Sequence, residues 1–325
     1  MSGENPKLAE ENRAGQDIGR KWAGDNQQWW DWYMSLAVNP PGGGALLPVD
    51  APPAASIGLE PAAASLKAPF ALADAAIEAF RKTGFLRVPG LLPPDLLLAA
   101  RARSVALLHA RVDGADRLSF PSLELVFRDD PLLKLIVESR RLAKVAADLL
   151  GVAGVRLYHD NLLCKNPGCG RTPWHYDAHH YPLDSEDVVT AWFPLQPVSE
   201  EMGPLVFAEG MELYRLVERF EFDKHGDAYD RAIIEALRRV SAPHVGHGYA
   251  LGEVSFHHAR SLHSAGPNRT TGHRLAIAIT YFADGVRLLQ HPTMISGDYE
   301  KFMPGISPGD VIDSPLNPLL YRKNG

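Results

Sequence analysis

Cysteine is almost missing: Cys164 and Cys169 are the only two in 325 residues. Five positions apart in a Gly/Pro-rich stretch, they read as plain loop thiols; they argue against a disulfide scaffold and fit a reducing cytoplasm. Long apolar runs are also missing. None approaches the roughly 20 residues that span a bilayer, and the polar start Met1-Ser2-Gly3-Glu4-Asn5 lacks the basic and then apolar pattern of a secretory leader. No membrane association is expected. Nor does either charge sign cluster: 33 Lys and Arg are dispersed among 39 Asp and Glu, for a net charge of -6. With a pI near 6.1 there is no electrostatic footprint for nucleic acid. A small or lipid-like molecule is the expected partner, handled in the cytoplasm.

What is present is enough apolar material, 46% of positions, to bury a sizeable core. Residues 1–70 read as an irregular arm with one short helix around 27–37. They carry the cluster Trp29-Trp30-Asp31-Trp32-Tyr33, a clasp onto the main domain or a lid, and then Pro40-Pro41-Gly42-Gly43-Gly44. Helical signals follow at 74–82, stopped by Gly84, after Pro93-Pro94 to about 112, and in one stretch from Asp130-Pro131 to Leu149. After Gly151 the pattern turns to short β-type runs at 155–163, 188–198, 205–208, 248–257 and 273–282, interrupted by a helix at 229–240. In the last run Leu275, Ile277, Ile279 and Tyr281 alternate with Ala276, Ala278 and Thr280, as in a strand dividing two environments. Helices followed by many short strands predict a mainly β domain with a helical flank around a double-stranded β-helix, a cupin-like jelly roll, over 71–290. Residues 291–325 read as a C-terminal extension.

The chemistry centres on Trp174-His175-Tyr176-Asp177. In extended backbone, residues i and i+2 share a side, so His175 and Asp177 can reach one metal while Tyr176 turns away. Two imidazoles and a carboxylate on one face of an iron leave the opposite positions open. Three histidines compete for the remaining ligand position. His263 stands eleven positions before Arg274, against seventeen for His257 and sixteen for His258, and it is read as ending a β-type run before a polar turn. His257 and His258 are read as sheet or supporting residues. Arg274 opens the next strand, and a guanidinium grips a carboxylate through two parallel hydrogen bonds.

Taken with Phe80-Arg81-Lys82-Thr83-Gly84-Phe85, His180-Tyr181-Pro182, Ala191-Trp192 and Gly203-Pro204-Leu205 in order, these motifs resemble the phytanoyl-CoA dioxygenase family of Fe(II)- and 2-oxoglutarate-dependent oxygenases. The resemblance spans roughly 71–285. It implies that His175, Asp177 and His263 bind iron and that Arg274 binds the distal carboxylate of 2-oxoglutarate. It implies co-substrate contacts for Asn161 and Trp192, and an activity that spends dioxygen to oxidise an unactivated C–H bond, releasing succinate and CO2. One position departs from the family pattern: Ala265 stands where a hydroxyl often assists the arginine, so either Ser264 takes over as helper or the help comes from elsewhere. Asp177 is kept, which favours hydroxylation or a related oxidation over halogenation. Tyr176, His179, Tyr181 and the segment 211–222 are candidates for the substrate pocket, while Arg215 and Arg219 read as a solvated face. Two other classes remain open. A zinc hydrolase could use the same donors, although no His-Glu-x-x-His frame occurs; a non-enzymatic jelly-roll binder would not need four such groups to converge.

Overall fold

The computed structural model describes residues 58–68, 70–115, 118–220, 227–292 and 299–323. The Trp29–Tyr33 cluster and the helix expected at 27–37 lie outside the described residues.

Helices come first. Helix α1 (Leu59–Lys67) falls in the stretch read as irregular, and it forms because its buried Ala62 and Leu66, four apart, share the main apolar core. Helix α2 (Asp74–Thr83) ends on Gly84, whose φ of 89° closes the last turn at a conformation costly for any residue with a Cβ. Strand β1 (Phe85–Val88) and helix α3 (Pro94–Arg111), with proline in its first turn, match the predicted signals. The single helix expected from Pro131 to Leu149 is two. Helix α4 (Pro131–Val137) starts under Asp130, whose carboxylate accepts from the Leu132 and Leu133 amides, and helix α5 (Arg140–Leu150) restarts where the Ser139 hydroxyl caps the Leu142 amide. A mid-sequence serine with a free oxygen breaks the helix because it bonds backbone better at a cap than inside a turn.

The rest is two antiparallel sheets. Strands β2 (Ser122–Glu124), β3 (Gly154–Lys165), β5 (Val188–Pro194), β8 (Val254–His258), β10 (Arg274–Ala283) and β11 (Leu319–Arg322) join β1 in a seven-stranded sheet ordered β1-β8-β5-β10-β3-β11, with β2 also on β3. Strands β4 (Thr172–His175), β6 (Leu205–Ala208), β7 (His244–Val245) and β9 (His263–Ala265) make a smaller sheet ordered β4-β9-β6-β7. This is the jelly roll. The alternation in β10 behaves as read: Leu275, Ile277, Ile279 and Tyr281 pack outward against the helices. Ala276 and Ala278 face inward, meeting Trp192 and Leu163 of the large sheet and Leu205, Phe207 and Ala265 of the small one. Helix α6 (Ala228–Arg239) covers the outside of the small sheet with Tyr229, Ile233 and Leu237 against Trp174 and Tyr176.

One further reading changes. Cys164 is not a loop thiol but a buried residue of β3, while Cys169 is a buried free thiol in the loop that follows. Residues 299–323 join the large sheet through β11 and, through Phe302 of the short helix α7 (Tyr299–Phe302), pack onto Tyr158 and His159. Among the described residues no helix is long and apolar enough to cross a membrane.

Candidate metal centre

His175 is the last residue of β4 and His263 the first of β9, and the two are directly paired across the small sheet. His263 therefore opens a strand where the sequence suggested that it ends one. Tyr176 continues β4 in extended backbone (φ -131°, ψ 147°), so Asp177 returns to the side of His175 while Tyr176 goes to the outer cluster. One donor atom from each of His175, Asp177 and His263 lies within 4.8 Å of the others, the only such group of His, Cys, Asp and Glu among the described residues. The Asp177 Oδ1 atom is 3.7 Å from Nε2 of His175 and 3.6 Å from Nε2 of His263.

Both rings are held in one tautomer. Nδ1 of His175 meets the Pro173 carbonyl at 2.8 Å and Nδ1 of His263 meets the Ser261 carbonyl at 3.0 Å, contacts that require the proton on Nδ1 and turn each Nε2 toward Asp177 Oδ1. Burial lowers the basicity of both imidazoles, which favours the neutral form that donates to a cation. Burial alone would raise Asp177, but attraction to His263, the hydrogen bond from His257 and attraction to His175 outweigh it and hold its carboxyl below the usual range. A bound cation would take the place of any proton the rings share, leaving two neutral nitrogens and one anionic oxygen.

Supporting groups complete the arrangement: His257, read from the sequence as a sheet or supporting residue, and Thr190, Thr280 and Asp230, which sequence reasoning missed. The second oxygen of Asp177 accepts from Thr190 Oγ1 and lies against His257 Nε2, each at 3.3 Å. Thr190 in turn meets Thr280 at 3.1 Å, and Thr280 meets the Tyr181 hydroxyl at 3.2 Å. The signal was present in the alternation, since Thr190 and Thr280 are inward positions paired across β5 and β10. On the outer side Asp230 of α6, itself buried, accepts the Trp174 amide at 2.7 Å and both arms of Arg171, which pins β4 beside its metal-binding end. Replacing Asp230 with alanine strands that amide. Denaturant unfolding is expected to show a loss of about 1–3 kcal/mol; a change within error would mean β4 is held by the sheet alone.

Arg274 begins β10, is 1% exposed and donates from Nη1 to the Gly203 carbonyl at 2.9 Å, while its Nε has no partner. Its guanidinium carbon sits 5.4 Å from the Trp192 ring centre. Asn161 lies in β3 on the inward side shared with Leu163, and its side-chain oxygen is buried without a partner. These three residues face one interior. Ser264 does not: it pairs with Val206 between the inward residues His263 and Ala265, and it gives its hydroxyl to the Thr172 carbonyl at 2.7 Å. Strand alternation puts it on the face away from Arg274, and Ala265 occupies the inward position.

A cleft of about 500 Å³ opens beside the centre, walled by Tyr176, His179, Tyr181, Tyr214 and Glu218. Residues on either side of Asp177 thus face it. Arg215, paired with Glu212 on the surface, does not.

The sequence pattern of the phytanoyl-CoA dioxygenase (PhyH) family matches residues 80–276, from the end of α2 to the start of β10, with both imidazoles and the carboxylate inside the match. The chain belongs to that family. It is 29% identical over 180 residues to a probable alpha-ketoglutarate-dependent hypophosphite dioxygenase of Stutzerimonas stutzeri, covering 52% of this chain and 58% of that protein. It is 27% identical over 170 residues to a probable phytanoyl-CoA dioxygenase of Caenorhabditis elegans, covering 49% and 53%. The chain therefore spans little more than half the length of these curated relatives. Among solved structures, the non-heme alpha ketoglutarate dependent carbocyclase SnoK from nogalamycin biosynthesis has a similar fold. Its TM-score is 0.65 at 24% identity, over 78% of this chain and 99% of that one. EctD from S. alaskensis superposes with a TM-score of 0.60 at 17% identity, over 77% and 91%. At these identities the likeness is one of fold, which for PhyH members is the jelly roll described above.

Proposed function

We propose that this PhyH-family chain is an Fe(II)- and 2-oxoglutarate-dependent dioxygenase that oxidises an unactivated C–H bond of a small molecule. The observation that carries this reading is the pairing, in one barrel interior, of a two-histidine, one-carboxylate donor set with a buried arginine that has no carboxylate partner among the described residues. The donors suit the metal: two imidazole nitrogens fixed in the donating tautomer and an ionised carboxylate make the facial set that non-haem iron takes. The unpartnered Nε of Arg274 suits the co-substrate, because a desolvated guanidinium is costly unless an anion meets it. Bound iron and 2-oxoglutarate would supply the oxidising power by coupling dioxygen reduction to decarboxylation, giving succinate and CO2.

The chain's own part is positional. His175, Asp177 and His263 would hold the metal, with His257 and Thr190 keeping the free oxygen of Asp177 turned aside. Arg274 would orient the distal carboxylate, with Trp192 as the wall beneath it and Asn161 as a further polar contact. Phe207, whose ring centre lies 6.2 Å from that of His263 and 5.6 Å from that of His257, keeps the interior apolar and short of water. The cleft beside Asp177 is the proposed substrate side, with Tyr176, His179 and Tyr181 selecting the bond presented. Buried free thiols at Cys164 and Cys169 suit a reducing, cytoplasmic setting.

Anaerobic titration tests the reading. Iron(II) followed by 2-oxoglutarate should develop the weak visible charge-transfer band of the chelate, and admitting dioxygen should release succinate. Zinc should do neither. A protein that hydrolyses esters or amides with zinc and gives no band with iron would instead be the hydrolase that the same donors permit.

A further inference from the structure

Lys165 is the only buried lysine among the described residues, as Arg274 is the only buried arginine. The two are direct partners across β3 and β10, so their side chains leave the large sheet on the same inward face. They also end on the same backbone feature. Lys165 Nζ donates to the Gly266 carbonyl at 2.8 Å and the Gly170 carbonyl at 2.7 Å; Arg274 Nη1 donates to the Gly203 carbonyl at 2.9 Å. Gly203 and Gly266 lie against each other, and a Cβ on Gly203 would collide with the Gly266 carbonyl. Two cations therefore converge on one glycine contact.

Neither cation has a carboxylate partner among the described residues. The thiols nearest in charge terms are Cys164 and Cys169, and burial pushes both upward, Cys164 to about 12, so they carry no compensating charge at neutral pH. Donor capacity is left over as well: an ammonium has three N–H bonds, of which Lys165 gives two to carbonyls, and Nε of Arg274 is unused. Paired, desolvated and unneutralised positive charge is a costly arrangement that an incoming anion relieves. The inward position beside them is held by Ala265, which has no hydroxyl to offer.

We propose that Lys165 is a second cationic contact for the distal carboxylate of 2-oxoglutarate, working beside Arg274 in place of the hydroxyl that Ala265 lacks. This rests on the dioxygenase reading. Without the anion, burial pulls the Lys165 ammonium down to about 7. Above that pH the free protein holds the neutral amine, so the carboxylate must bring a proton with it; below that pH the ammonium is already formed and no proton is needed.

Two binding measurements on the anaerobic, iron(II)-loaded protein decide the matter without turnover. The probes are 2-oxoglutarate and 2-oxopentanoate, which has a methyl group where the distal carboxylate would be. In the unaltered protein, calorimetry from pH 7 upward in buffers of different ionisation enthalpy should find proton uptake with 2-oxoglutarate that rises with pH, and none with 2-oxopentanoate. In K165M the preference for 2-oxoglutarate over 2-oxopentanoate should fall by tenfold or more, with 2-oxopentanoate affinity unchanged; K165R should keep most of the preference. Equal proton uptake for the two probes, or a K165M protein with its preference intact, would show that Lys165 only props the loop carbonyls. A failure of the unaltered protein to bind 2-oxoglutarate at all would overturn the dioxygenase reading itself, an outcome distinct from either.

Discussion

Asp177→Ala protein is expected to lose the iron-dependent 2-oxoglutarate band and all succinate release while keeping its fold. The carboxylate is the only anionic donor of the three, and its removal leaves two neutral imidazoles whose rings lie 4.1 Å apart with nothing to balance a divalent charge. It also strips Thr190 and His257 of the oxygen they hold. Changes to such supporting partners alone cost metal affinity about 10–100-fold. Loss of the ligand itself should exceed about a hundredfold. Competition against a chelator of known affinity measures this directly, and far-ultraviolet circular dichroism checks that the jelly roll survives. Iron affinity within a few-fold of the unaltered protein would sink the assignment of Asp177, and with it the reading of the centre.

Arg274→Met should separate the co-substrate from the metal. Iron(II) binding is expected to be unchanged, because no ligand of the centre touches the guanidinium; 2-oxoglutarate affinity should fall steeply. Truncating one partner of a buried, hydrogen-bonded charge pair costs about 2–5 kcal/mol, which at 1.36 kcal/mol per decade is a loss of about thirtyfold or more. The stability of the ligand-free protein should move the other way or not at all. A buried guanidinium with one carbonyl partner and an idle Nε pays desolvation that methionine avoids, against the loss of a single hydrogen bond of about 1 kcal/mol. A melting temperature equal to or above that of the unaltered protein, together with failed 2-oxoglutarate binding, is the expected pair of results. A strongly destabilised variant would mean that Arg274 serves the fold rather than a ligand.

Much of this was legible in the chain because period-two patterns survive burial on both faces when the two faces bury different sizes of residue. In β10 the outward positions are Leu, Ile and Tyr and the inward ones Ala and Thr, so a strand dividing two environments could be inferred. The small sheet was harder to see. Strands β4 and β9 have four and three residues, and β4 contains Pro173, which weakens any strand signal. That is why His263 looked like the end of a run, and why Ser264 looked available to Arg274 until pairing with Val206 fixed its face. The break at Ser139 was missed for a different reason: an apolar helical period continues across it, and only the cap hydrogen bond shows where one helix stops.

The order of residues alone determined the donor types, the i and i+2 geometry of His175 and Asp177, the presence of a partner histidine upstream of a strand-opening arginine, and the absence of membrane and nucleic-acid signals. Pairing His263 directly with His175, uniting Lys165 with Arg274 and turning Ser264 outward were decisions of the tertiary structure. Each depends on which residues stand opposite one another across strands far apart in the chain, and cross-strand register comes from the packing of two sheets rather than from any local pattern.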